Sequence, residues 1–403
     1  MNRIKILKRC LALCLCMVMC AGTAFAEKTV ELGWGGMDDS LFYECSLPDG
    51  RQLLIGEKAE ADGNGADQKT WLVCLNTDHS ISWEYIEQEK GDCWIPCAAV
   101  LADGTIAVAY RRFRGSDDKI VAKFFTPEGE PIGKEIEIST KGESLWVHKA
   151  SANFLTLERQ IAVDGQENLR SEMEIWNWDG SLVSRYSPEE MLNGFFYIDE
   201  EEDGVLLYGE DSAKRAKIMK KDSLQGTVLW ANTLEHNLPV AEDAMLYNVV
   251  RTGDGGYVAL VQEYVDAPYR MKISLVKLDR EGRIQWLTGK DTDQLETFCS
   301  MIVYDGKIVL YTNLNGEEQQ TVQTFRWLDM DGKELDTTEL VLKAEEFPSL
   351  QPGAGKLIIG SLQLVPLNDG LWAIVNGRMS TDPAKNEAGE TLHDYIMVRI
   401  PEL

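Results

Sequence analysis

An Asp-Gly pair returns along this chain about every 50 residues, at Asp49-Gly50, Asp103-Gly104, Asp203-Gly204, Asp254-Gly255, Asp305-Gly306 and Asp369-Gly370. Successive glycines lie 54, 100, 51, 51 and 64 residues apart, the second gap being two ordinary steps. A fixed period of this size belongs to repeat architectures, in which each unit buries its apolar surface against its neighbours. Glycine suits the place because tight hairpin turns need a positive φ.

Within each period the grammar is constant. A short apolar strand leads into the Asp-Gly turn, and an alternating strand follows, as in Arg51–Gly56 and Gly256–Val261. A polar loop precedes a third strand, such as Thr70–Leu75 or Ile273–Leu278. A second turn then opens a fourth strand; these turns are Pro127-Glu128-Gly129, Trp178-Asp179-Gly180, Arg280-Glu281-Gly282 and Met330-Asp331-Gly332. The fourth strand often begins Gly-x-hydrophobic-x-Trp, as in Gly226–Trp230 and Gly282–Trp286. Helical periodicity is nearly absent, with at most one turn over Ser187–Asn193. Four antiparallel strands per unit describe the blade of a β-propeller. The missing third marker falls near Asn153-Phe154, which makes the all-β fold a seven-bladed β-propeller.

Two further patterns refine that expectation. Phe42, Trp146, Phe196, Tyr247 and Phe298 stand seven residues before their markers, with Pro96 and Leu362 in the other two units. Aromatics there suit the faces between blades; a ligand-stacking ring is the sharper reading. The last unit has strands at Ser361–Leu367, Leu371–Gly377 and Asp394–Ile400, and no room for a fourth. The segment Thr29–Trp34 has no unit of its own, so it is expected to supply the missing outer strand and close the ring.

Residues 1–26 are a different object. Arg3, Lys5, Lys8 and Arg9 precede an apolar run from Leu11 to Ala21, and Ala24-Phe25-Ala26 forms an A-x-A cleavage site before Glu27. That is the pattern of a secretory signal peptide, too short in its apolar part to span a bilayer. Lipid anchoring would require Cys20, but Met19 is bulky where such motifs carry a small residue. The domain division is thus signal peptide 1–26 and propeller 27–403, with the product secreted and extracellular. No other stretch could cross a membrane.

The whole chain carries a formal −26. Four of the 40 basic residues and none of the 66 acids lie in the leader, so the remainder reaches −30. Such a surface repels nucleic acid and anionic lipid. It confers solubility, or attracts cationic partners or Ca²⁺. Five cysteines remain beyond the leader: Cys45, Cys74, Cys93, Cys97 and Cys299. This odd, sparse set is no disulfide framework and offers no zinc spacing, so buried free thiols are expected.

The run Val276–Trp286 (VKLDREGRIQW), with a weaker copy at Leu75–Trp83, resembles the repeats of secreted bacterial propellers of quinoprotein-like or kelch-like type. The similarity covers most of the chain beyond the leader as repeat grammar. Quinoprotein repeats place Thr-Gly-Lys ahead of the tryptophan, whereas Thr288-Gly289-Lys290 follows Trp286 here. No bound quinone is therefore implied, and that family includes scaffolds, binders and enzymes.

No catalytic, cofactor or metal residues are assigned. His79, His148, His236 and His393 lie in different units and read as surface or loop residues. Gly353-Ala354-Gly355-Lys356 lacks the remainder of a phosphate loop. Asp329–Asp336 alternates oxygens as calcium likes, but it coincides with a blade turn. Glu200-Glu201-Glu202-Asp203 reads as a solvated turn tip. Two functions stay open. One is a secreted, monomeric, non-catalytic scaffold for an extracellular glycan, peptide or protein, binding through the loops Glu57–Lys69, Ala162–Arg170 and Ser380–Leu392. The other is a carbohydrate-active or sulfotransferase-like propeller enzyme working at the channel mouth. Scarce histidine argues against the sulfotransferase type.

Overall fold

Consecutive strands form seven four-stranded antiparallel sheets, arranged as a seven-bladed β-propeller with almost no helix. The computed structural model describes residues 29–37, 40–59, 68–89, 91–114, 117–133, 135–139, 144–162, 169–186, 196–201, 203–211, 215–223, 226–234, 243–266, 269–290, 295–315, 322–347, 356–380 and 392–402. The first blade comprises β2 (Ser40–Ser46), β3 (Gln52–Ala59), β4 (Gln68–Leu75) and β5 (Ile81–Ile86). The second comprises β6 (Asp92–Val100), β7 (Ile106–Arg114), β8 (Asp117–Phe125) and β9 (Ile136–Ser139). The third has β10 (Ser144–Ala150), β11 (Leu155–Ala162), β12 (Leu169–Trp176) and β13 (Leu182–Tyr186). The fourth has β14 (Phe196–Glu201), β15 (Gly204–Glu210), β16 (Ala216–Lys221) and β17 (Val228–Thr233). The fifth is β18 (Asp243–Arg251), β19 (Tyr257–Asp266), β20 (Tyr269–Leu278) and β21 (Ile284–Lys290). The sixth is β22 (Leu295–Tyr304), β23 (Lys307–Asn315), β24 (Val322–Leu328) and β25 (Glu334–Val341). The seventh joins β26 (Lys356–Leu367), β27 (Gly370–Ser380) and β28 (Leu392–Arg399) to β1 (Thr29–Met37) at its outer edge.

Closure follows the expected route. β1 pairs antiparallel with β28, from Thr29 opposite Val398 to Met37 opposite Leu392. Leu32 enters a core shared by the first and seventh blades.

Burial grades outward through each blade. Second and third strands are covered on both faces, so Leu53, Leu54 and Ile55, like Trp71 to Leu75, are continuously apolar and buried. Outer strands β5, β17 and β25 are largely exposed. Among the described residues the core is divided: seven apolar clusters occupy the seven junctions between neighbouring blades. The thinnest among the described residues joins the third and fourth blades, through Met173, Ile198, Val205, Leu207 and Met219.

The recurrent Gly and Trp are two halves of one contact. The outer-strand Trp83 donates Nε1–H to the Pro127 carbonyl of the next blade at 2.9 Å. Trp230 reaches Arg280 O at 3.1 Å, and Trp286 reaches Met330 O at 2.9 Å, each one blade onward. The glycine two residues further along that turn lies over the indole. A Cβ on Gly282 would stand 2.4 Å from Trp230, and one on Gly129 would stand 2.5 Å from Trp83. Their φ angles of +78° and +87° require the same residue independently.

His79 occupies the corresponding turn position of the first blade, with φ 69°. It is buried rather than a surface residue: Nε2 meets Asp369 Oδ2 at 2.9 Å and the ring lies 4.3 Å from Trp372. The contact joins the first blade to the seventh, where the ring closes.

Other expectations are corrected or refined. Phe42 is 46% exposed on innermost β2 rather than buried between blades. Leu362 does join the core between the sixth and seventh blades, and Trp146 stacks on Trp94 across the junction of the second and third. The side chains of Phe196, Tyr247 and Phe298 lie outside the described residues, as does Ser187–Asn193. Cys74, Cys93 and Cys97 are buried free thiols and Cys45 is half-buried; the Cys299 side chain is not among those described. Burial pushes the Cys45 thiol up to about 12.

Two outcomes test this architecture. Gly282→Ala combines a left-handed backbone with the Trp230 clash, whereas Gly104→Ala (φ +86°) meets nothing within 4 Å. We expect denaturant unfolding to show a loss of about 1 kcal/mol for Gly104→Ala and roughly 2–4 kcal/mol for Gly282→Ala. Deleting residues 27–37 should lower Tm well below that of a chain beginning at Glu27, because the β28 edge and a blade face become exposed. An unchanged Tm would contradict closure by β1.

Candidate functional site

The first strands of neighbouring blades touch around the inside of the ring. Their inner edges would present unpaired backbone groups, and side chains from the preceding blade cover several of them. Gln363 accepts the Tyr43 N–H at 2.7 Å and donates to the Tyr43 carbonyl at 3.1 Å. Glu44 Oε1 accepts the Ala98 N–H at 3.0 Å, and Asn248 Nδ2 donates to Met301 O at 3.2 Å. Bulges aid this reach: register shifts on β2 and β18 fall at Glu44 and Tyr247. A bulge rotates a side chain out of the regular alternation.

The face carrying the Asp-Gly turns bears a groove made of two adjoining clefts. The larger, about 660 Å³, spans the third to fifth blades and is lined by Lys149, Ser151, Asn153, Asp199, Glu200, Glu201, Arg251 and Tyr257, among others. The smaller, about 580 Å³, lies between β2, β6 and β10, with Glu44, Cys97 and His148 in its wall. Lys149 and Ser151 line both clefts, which therefore adjoin at the third blade and together touch five blades.

Polar bridges hold the groove where the apolar core is thinnest. Lys149 ion-pairs with Asp199, and Asn153 donates to Glu200, both linking the third blade to the fourth. Lys220 lies 2.7 Å from both Glu201 and Asp203. Tyr257 donates to Glu201 at 2.6 Å from the fifth blade. Burial and the Glu201 charge push the Tyr257 hydroxyl up to about 12. Arg251, exposed at the end of β18, has no hydrogen bond or ion pair among the described residues.

Besides the two thiols, Glu44 and His148 in the smaller cleft are shifted from their ordinary values. Burial raises Glu44 to about 7, against the opposing pull of the Ala98 N–H and Lys149. Burial, then Lys149, lowers His148 to about 4. The enclosed imidazole is therefore neutral at physiological pH, and its Nε2 has no hydrogen-bond partner among the described residues.

The residues singled out in the sequence fall as follows in the fold. The acidic run is no free turn tip: Glu201 is only 7% exposed and paired, while Asp203 is exposed, and Glu202 lies outside the described residues. His148 stands on innermost β10 within the groove wall rather than at the surface. Asp329 Oδ1 accepts the N–H groups of Asp331 and Lys333, the pattern of a plain turn. Among the described residues no three potential ligands cluster as a metal site, and no helix is long and apolar enough to cross a membrane. His236, Gly353–Gly355, the leader and the greater part of each of the three long loops lie outside the described residues; so does the His393 side chain. Nothing in the local sequence marks Glu44, Lys149 or Arg251, because their meeting depends on ring geometry.

No known family model and no curated protein matches the chain. Solved structures similar to it include the β-propeller domain of the Trilobed protease from Pyrococcus furiosus, at 12% identity and TM-score 0.48, covering 91% of this chain and 94% of that one. The Dos1 propeller is similar at 10% identity and TM-score 0.48, covering 91% and 93%. The acylaminoacyl peptidase of Pyrococcus horikoshii aligns at 12% identity and TM-score 0.47 over 84% of this chain, which spans about half (51%) of that protein.

Glu44 and His148 give stability opposite pH slopes. A raised carboxyl makes the folded state hold more protons than the unfolded between about 4.5 and 7, so stability falls with rising pH there. A lowered imidazole makes it hold fewer between about 4 and 6.5, so stability rises with pH there. In Glu44→Gln the Glu44 slope is lost while the His148 slope remains. That variant should be more stable than wild type at pH 8, by on the order of 1–3 kcal/mol. Equal stability at pH 8 would show that Glu44 ionises freely.

Proposed function

We propose that this protein is an exported, non-catalytic binding scaffold that presents a polar groove on its Asp-Gly face to an extracellular glycan, peptide or protein. The observation that carries the reading is the pair of adjoining clefts that share Lys149 and Ser151 as walls. It is concave and mixed in charge. It lies across a junction whose apolar core is small, where polar bridges can be exchanged for ligand contacts. The carboxylates Asp199 and Glu201 are committed to ion pairs, which suits recognition by partner exchange better than proton transfer. Export follows from the leader pattern of residues 1–26.

The alternative, a carbohydrate-active enzyme, would draw on Asp199, Glu200 and Glu201, which line the same cleft. Hydrolysis of a panel glycan that is lost in Asp199→Asn or Glu200→Gln would overturn the scaffold reading.

Binding is tested with the chain from Glu27 on glycan and peptide arrays, beside the double variant Lys149→Ala/Arg251→Ala. We expect specific signals at least tenfold weaker in the variant, with Tm within a few degrees. Signals that survive it but vanish when the loops at 57–69, 162–170 and 380–392 are shortened would move the site to the opposite rim. Mass spectrometry of the exported protein should find Glu27 at its N-terminus; a lipid on Cys20 would refute a free secreted form.

A further inference from the structure

We propose that the smaller cleft, between β2, β6 and β10, is a subsite for an organic cation, an ammonium or guanidinium on a short apolar stem, with Glu44 as its counter-charge. This rests on the groove reading and names the chemistry of one part of it.

The carboxyl is set in place before any guest arrives. Glu44 sits at a bulge, and its Oε1 is fixed by the Ala98 N–H at 3.0 Å. No other hydrogen-bond partner is present for the side chain among the described residues. The cleft wall is mixed: beside its polar groups stand the small or apolar Pro96, Ala98, Ala99, Val100, Ala150 and Ala152, which leave room for an aliphatic stem.

The charges facing the cleft decide between guests. From β2 come Glu44 and the Cys45 thiol; from β6 comes Cys97. From β10 come His148 and Lys149, and behind Lys149 stands Asp199 on β14. Both thiols are held protonated by burial, and His148 is neutral. Lys149, the one cation lining the cleft among the described residues, is already paired with Asp199. Glu44 is thus an acid enclosed without a full counter-ion, which is why it retains a proton near neutrality. A cation entering the cleft supplies what the site lacks, and Glu44 gives its proton to solvent. An anion would meet a carboxyl already disfavoured as the charged form. The strongly acidic chain adds long-range attraction for cations.

The test uses the chain from Glu27 with n-butylammonium, and with n-butanoate and n-butanol as anionic and neutral isosteres, followed by NMR and calorimetry between pH 5.5 and 8.5. Butylammonium should bind with a Kd of order 1 mM above pH 7.5. Its affinity should fall about tenfold per pH unit well below 7, with up to one proton released on binding. Glu44→Gln preserves the acceptor for Ala98 and should abolish both the binding and its pH dependence. Absence of butylammonium binding at pH 8, unchanged binding in Glu44→Gln, or preferential butanoate binding that strengthens toward acid would each overturn the proposal. If array ligands are still lost in Lys149→Ala/Arg251→Ala, only the cation subsite fails and the scaffold reading stands.

Discussion

The indole of one blade held beneath the turn glycine of the next is the contact on which this ring depends. Each blade is a thin sheet whose two faces must both be covered, and no blade can do this alone. The apolar clusters lie at junctions and fix the separation of the blades. The Trp83, Trp230 and Trp286 bonds fix their lateral alignment, since an N–H reaching one named carbonyl tolerates little sliding. Glycine serves twice at these positions: it allows the left-handed turn and leaves space for the ring.

The repeat is strict where this contact operates and relaxed elsewhere, and the exceptions are informative. Ile136 stands in the tryptophan position beneath Gly180. His79 replaces the glycine beside the seventh blade, where the partner is Trp372 and Asp369. At the junction of the third and fourth blades the apolar cluster shrinks and polar bridges take over. An ion pair between partly exposed groups contributes little to stability and exchanges readily with a ligand or water. The groove therefore lies where the ring is held by its most exchangeable interactions, while the junctions with large cores keep the scaffold rigid.

Glu44 shows how the same architecture sets chemistry. Its acidity follows from enclosure between three inner strands, and its orientation follows from a bulge and one backbone bond. Neither property belongs to a sequence motif. Inner-strand positions that serve one junction as hydrogen-bond acceptors become, at another, the charged wall of a cleft.

Much of the fold was legible in the chain itself. Asp-Gly turns, alternating strands and the three-stranded last unit prescribe seven blades and closure by residues 29–34, because turn conformation and strand periodicity are local properties. The Gly-x-hydrophobic-x-Trp pattern announced a repeated role without revealing it, since the indole's partner lies in the next blade, 44 residues on for Trp83 and Trp286 and 50 for Trp230. The groove was not legible. Glu44, Lys149 and Asp199 sit in strands one or two repeats apart and are brought together only by the stacking of successive blades. The burial of His79 was hidden for the same reason: its neighbours Asp369 and Trp372 come from the opposite end of the chain. Sequence determined the repeating unit, whose constraints act over a few residues; tertiary structure decided which side chains share a dielectric environment, and with it the charge and chemistry of the site.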